Sequence, residues 1–221
     1  MLGFGQLDPQ LIVAVIMTFV VAITVHEFMH AWTAWMLGDD TARLLGRISL
    51  NPAVHFDPIG ALMFLLIALG FPGLAWGKPV PVNDYRLRPL GRLGRHGSMA
   101  LVSLAGPLSN VVLGACAALT LRGASRSGAD LGMLGQFLQV FMVVNFGLAA
   151  FNMIPVPPLD GSRILLALLP PFWRPVLAPL ERYGILILFV LLLLGGGFGQ
   201  SVISAISGPV YSLLLRVFAG T

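Results

Sequence analysis

The stretch Ile23-Thr24-Val25-His26-Glu27-Phe28-Met29-His30-Ala31-Trp32 decides how this chain is read. It spells H-E-x-x-H inside an apolar run that extends from about residue 11 to residue 37. Residues four apart on a helix lie on one face, one above the other. His26 and His30 can therefore grip one zinc ion, with Glu27 beside them as a general base. The chain holds only four His and two Glu in 221 residues, so chance placement is a poor explanation of the pattern. The competing explanation is a polar contact between helices. It would leave a buried charge unpaired in an apolar span, where ionisable groups are costly.

Composition sets the surroundings. Hydrophobic residues make up 57% of the chain and charged residues 10%, and the mean hydropathy is +0.90. These values fit a polytopic membrane protein and exclude an ordinary soluble domain. The length suits one transmembrane domain over 1–221, with a core at 9–170 and a C-terminal helical hairpin at about 176–218. The net charge of +4 comes from basic residues in short loops between apolar runs, so nucleic acid is not an expected partner. The single cysteine, Cys116, excludes an intrachain disulfide and a cysteine zinc cage. Residues 1–10 lack Lys and Arg, so no cleavable signal peptide is expected.

Outward from the motif, hydropathy predicts spans at about Pro9–Leu37, Gly97–Leu121, Leu131–Met153, Tyr183–Gly196 and Ser201–Val217. A further apolar segment, Ile59–Trp76, is broken by Gly70-Phe71-Pro72-Gly73. With that segment dipping in and returning, eleven of the thirteen Lys and Arg residues fall on one face, and only Arg122 and Arg126 on the other. The expected architecture is thus an all-α membrane protein. It is a helical bundle of five spans plus a re-entrant segment, with six spans as the alternative. Arg47-Ile48-Ser49-Leu50 and Lys78-Pro79-Val80-Pro81-Val82-Asn83 read as short strands of a small sheet at the membrane face. Ala105-Gly106-Pro107-Leu108-Ser109-Asn110 permits close helix approach, with Asn110 able to bond a neighbour.

A catalytic zinc takes three protein ligands and leaves one position open. Asp160 is the first candidate for the third. It lies in Asn152-Met153-Ile154-Pro155-Val156-Pro157-Pro158-Leu159-Asp160-Gly161, at the membrane face toward which the motif also lies. The prolines set an extended turn that can aim one carboxylate. The alternative for Asp160 is a helix N-cap. His55 is the rival ligand, and a local pair with Asp57 is its simpler reading.

His26-Glu27-x-x-His30 in a span, Ala105-Gly106-Pro107 in a middle span, and Asn152 eight residues before Asp160-Gly161 together resemble the site-2 protease family of intramembrane zinc metalloproteases. The resemblance covers about residues 20–170. It implies His26, His30 and Asp160 as ligands of one Zn(2+), Glu27 as the catalytic base, and Asn152 as a substrate-binding residue. For Asn152 a helix–helix hydrogen bond with the Gly97–Leu121 span is the alternative. The form is minimal, without PDZ or CBS domain. A member would cleave a peptide bond in or near the transmembrane segment of a single-span membrane-protein substrate, in regulated intramembrane proteolysis. It would sit in the cell membrane with its active site toward the cytoplasmic side. A membrane zinc hydrolase of another substrate class and a non-catalytic metal-binding scaffold are the competing functions.

Overall fold

The computed structural model describes residues 9–68, 75–173, 175, 183–184, 186–188, 190 and 198–220. Seven α-helices appear among them: α1 (Pro9–Met36), α2 (Thr41–Leu44), α3 (Pro58–Ala68), α4 (Gly94–Ser127), α5 (Gly132–Asn152), α6 (Asp160–Leu168) and α7 (Phe198–Leu214). A π-helical turn, Leu215–Ala219, ends the described chain. Three of the helices, α1, α4 and α5, are long and apolar enough to cross a membrane.

These three pack together because each presents small or polar residues to the others. The buried stripe of α1 runs Phe19, Ile23, His26, His30 and Ala34 at steps of three and four, the helical repeat, with Ala22 beside it. Its Val13, Met17, Val21 and Met36 remain exposed, which is the face a lipid-embedded helix turns to acyl chains. The buried residues of α4 include Ser103, Ala105, Gly106, Ser109, Asn110, Gly114 and Ala117. Small side chains let helix backbones approach closely where no hydrophobic force drives association. Phe146 of α5, fully buried, packs with Ala117 and Ala118 of α4, and Tyr211 and Phe218 of the C-terminal helix close over that cluster.

The segment between α1 and α4 departs from the predicted sheet. No strand forms among the described residues, and 47–50 and 78–83 are irregular. Pro79 and Pro81 lack the N–H groups that a ladder needs. The two stretches are joined through side chains and single backbone bonds instead. Arg47 donates from Nη2 to the Lys78 carbonyl, and the Lys78 N–H donates to the His55 carbonyl at 2.8 Å. A Cβ on Gly60 would lie 2.1 Å from the Trp76 carbonyl oxygen, so the two ends of the 60–76 segment lie side by side. The 11 residues of α3 extend about 16 Å at ~1.5 Å per residue, half of a ~30 Å hydrocarbon core. The predicted Gly70–Gly73 break and most of the predicted Tyr183–Gly196 span lie outside the described residues.

Candidate metal centre

His26 and His30 meet Asp160 where α1 faces the start of α6. His26 Nε2 and His30 Nε2 are 3.0 Å apart. Asp160 Oδ2 lies 3.2 Å from the first and 3.4 Å from the second. Among the described residues this is the cluster of ligand-type groups that converge on one point.

The outer ring nitrogens decide what those three atoms are. His30 Nδ1 lies 2.7 Å from the Val102 carbonyl oxygen, which can only accept, so Nδ1 carries the proton. His26 Nδ1 lies 2.7 Å from Asn110 Oδ1. The Asn110 amide in turn faces the Ala22 carbonyl at 3.2 Å, which fixes its nitrogen on that side and its oxygen toward His26. Both imidazoles therefore turn a bare lone pair inward, against each other and against a carboxylate. A cation held between the three atoms satisfies all of them at once. Tetrahedral zinc with bonds of about 2.0–2.2 Å sets its ligand atoms roughly 3.3–3.5 Å apart, close to the three separations found. The residues fit zinc.

Each of the three groups has a local reason for its place. Gly106 stands opposite the imidazole pair. A Cβ there would fall 2.4 Å from His30 Nε2 and 2.7 Å from His26 Cε1. The Ala-Gly-Pro run thus does more than admit a neighbouring helix, since it opens room for two rings. Asp160 is the first residue of α6 and does not cap it, because the N-cap is Leu159 without a side-chain bond. Ile154 and Leu159, both buried, anchor the proline turn against Leu188. Gly161 seats the helix on the end of α5, where a Cβ would lie 2.3 Å from the Met153 carbonyl oxygen.

Glu27, buried, accepts a hydrogen bond at Oε2 from the Val80 N–H at 3.2 Å. Val80 belongs to the irregular 75–83 segment that walls a cavity of about 300 Å³, lined also by His26, His30, Asn152, Asp160 and Arg163. The wall is held from two sides. Asp39, fully buried, accepts from the Asn83 N–H at 2.6 Å. Arg47 and His55 grip the carbonyl and the N–H of Lys78.

His55 stands outside the cluster. Its Nε2 donates to the Ser49 carbonyl at 2.6 Å, and burial pushes its pKa below the ordinary value. It does not pair with Asp57, which instead accepts from the Ile59 and Gly60 N–H groups at the start of α3. Asn152 lines the cavity and donates to Leu148 of its own helix at 3.0 Å. The amide that bonds across to α4 belongs to Asn145, two turns earlier, which accepts from Asn110 Nδ2 at 3.0 Å. Asn145 and the Val80 N–H carry no motif in the sequence. The only signal for Asn145 is an amide in an apolar span that also holds Gln136, Gln139 and Asn152.

The chain is similar to several known proteins. The model of peptidase family M50 matches residues 122–195. A Bacillus subtilis (strain 168) protein described as "Putative zinc metalloprotease YwhC" is 36% identical over 181 residues, covering 80% of this chain and 78% of that protein. "Putative zinc metalloprotease Rip2" of Mycolicibacterium smegmatis is 35% identical over 192 residues, covering 82% of this chain and 67% of that protein. A shorter match, 38% over 88 residues, covers 40% of this chain and 44% of "Putative zinc metalloprotease MJ0611" of Methanocaldococcus jannaschii. No solved structure matches. The chain belongs to peptidase family M50, the site-2 proteases, and is a zinc metallopeptidase built as an all-α membrane protein.

Proposed function

We propose that this peptidase cleaves a peptide bond within or beside the transmembrane segment of a single-span membrane protein, in regulated intramembrane proteolysis. His26, His30 and Asp160 hold the zinc. Glu27 is the general base, and the site opens toward the cytoplasmic face of the cell membrane. The observation that carries this reading is the triangle of inward lone pairs at 3.0, 3.2 and 3.4 Å, with a buried carboxylate next to it in the chain.

When bound, zinc supplies a Lewis acid and an acidified water at neutral pH. The protein's own groups do the rest. Glu27 takes the proton of the attacking water and returns it to the leaving amine. The Val80 N–H holds one carboxylate oxygen and so sets which oxygen is free to accept that proton. Asn152, on the cavity wall, offers an amide to a substrate backbone that has lost its own helical bonds. A substrate helix hides its peptide bonds and must unwind first, which favours helix-breaking residues near the cut. Irregular backbone at 75–83 lies along the cavity where such an unwound strand would pass. The positive-inside rule supports the cytoplasmic orientation, since basic residues crowd the loops at the site's end of α1.

The test uses purified full-length protein in lipid nanodiscs with a model single-span substrate. Glu27→Gln is expected to keep its zinc and lose about 10²–10⁴-fold in kcat, the span of general-base catalysis. His26→Ala is expected to lose zinc and cleavage together. Cleavage by either variant at the wild-type rate removes this mechanism.

A further inference from the structure

We infer that Asn110 is a positioning residue for the metal centre, and that with Asn145 it forms a buried amide relay setting the tautomer of His26 and the register of α1, α4 and α5. The inference rests on the zinc site proposed above.

The argument starts from two backbone carbonyls, whose role is not negotiable because they can only accept. The Phe141 carbonyl receives Asn145 Nδ2 at 2.8 Å, which leaves Asn145 Oδ1 pointing away from it. The Ala22 carbonyl receives Asn110 Nδ2 at 3.2 Å. The same Nδ2 donates to Asn145 Oδ1 at 3.0 Å. Both amide orientations are thereby determined, and with them Asn110 Oδ1, which accepts the proton of His26 Nδ1 at 2.7 Å. Asn110 and Asn145 are both fully buried, so water offers no substitute partner. Every bond in the relay is satisfied, which is the condition under which a buried polar network rigidifies its surroundings.

The relay crosses α1, α4 and α5. That placement matters because α5 ends in the turn that presents Asp160. A shift of α5 along α1 would move Asp160 relative to the imidazoles, and the Asn110–Asn145 bond opposes it. The two histidines thus differ in kind. His30 leans on the backbone of Val102, which no substitution removes. His26 leans on a side chain. Partners of a ligating histidine that fix its ring typically contribute 10–100-fold to metal affinity.

The experiment compares wild type with Asn110→Leu, Asn110→Asp, Asn110→Ser and Asn145→Leu as full-length proteins in nanodiscs. Zinc Kd is read by competition with a chromophoric chelator, and the apo melting temperature is read separately. Asn110→Leu and Asn110→Ser, which place no acceptor at Nδ1, are expected to raise the zinc Kd about 10–100-fold. Asn110→Asp keeps an acceptor for His26 Nδ1 but loses the Nδ2 donor to Ala22 and Asn145, and is expected to bind zinc more tightly than Asn110→Leu and Asn110→Ser and less tightly than wild type. Asn145→Leu is expected to fall between them. Should Asn110→Leu fail to fold, Asn110→Ser against Asn110→Asp carries the same comparison. An unchanged Kd in the variants without an acceptor, or equal zinc loss in Asn110→Asp, overturns the inference. So does a loss of fold in every variant, which assigns the relay to structure alone. Failure of wild type to bind zinc sinks the metal site itself, so the two outcomes stay distinct.

Discussion

The two sides of the cavity are built by different means. On the metal side, α1 presents two imidazoles through the helical repeat, α4 and α5 hold them through buried amides, and Gly106 leaves space for the rings. On the base side, Glu27 meets an irregular stretch whose place depends on a few side chains of the connecting loops. Helices satisfy their own backbone and need only be packed. Irregular backbone at the same depth must find each partner elsewhere. The metal side should therefore answer to volume, and the base side to single polar contacts.

The strongest challenge to that contrast is Gly106→Ala. Its added carbon overlaps both imidazoles, and a 1 Å displacement of reacting groups can cost about 10²-fold. Zinc content and cleavage should fall together while the helical circular dichroism stays unchanged. If one zinc per chain is still bound tightly, crowding of the rings is not what makes position 106 a glycine.

Next in size is Arg47→Ala. It removes a charge-assisted bond to the Lys78 carbonyl made by a buried guanidinium, a contact of about 1.5–3 kcal/mol. Burial already lowers the Arg47 pKa, and Glu27 opposes that shift, which places the two charges in one field. Zinc Kd should be unchanged and kcat should drop roughly tenfold, on the order of the 1.4 kcal/mol that tenfold represents. Hydrogen exchange at the Val80 amide should speed up. A variant that loses zinc instead would show that the two sides are not separable.

The smallest effect concerns pH. Burial depresses the His55 pKa below its unfolded value. The folded state then binds protons less readily than the unfolded chain. The contribution of His55 is whole above about pH 6.5 and is lost progressively as pH falls through and below that value. Apo melting temperatures between pH 7.5 and pH 5.5 should decline less steeply for His55→Gln than for wild type. Parallel slopes would show that His55 has no share in the pH dependence.

Much of the metal side was legible in the residues. The four-residue spacing of His26 and His30 acts within one helix turn, and local geometry survives any tertiary arrangement. α1 and α5 were also legible, since they end within a residue of the hydropathy boundaries, whereas α4 (Gly94–Ser127) extends past the predicted Gly97–Leu121 at both ends. The base side was not. Alternation around Pro79 and Pro81 suggested strands, yet the missing N–H groups leave an irregular wall tied by Arg47 and Asp39. His55 looked like a free ligand or a partner of Asp57, and its contact is the Ser49 carbonyl.

What the sequence alone determined is the chemistry: two imidazoles and a carboxylate on one helix, in a chain too apolar for water. What only the tertiary structure decided is which distant groups complete it. Asp160 lies 134 positions beyond His26 by subtraction of their numbers, and Asn145 pairs with an amide 35 positions away. No periodicity links such residues. Their meeting depends on how closely α1, α4 and α5 can approach, and that is set by shape and packing.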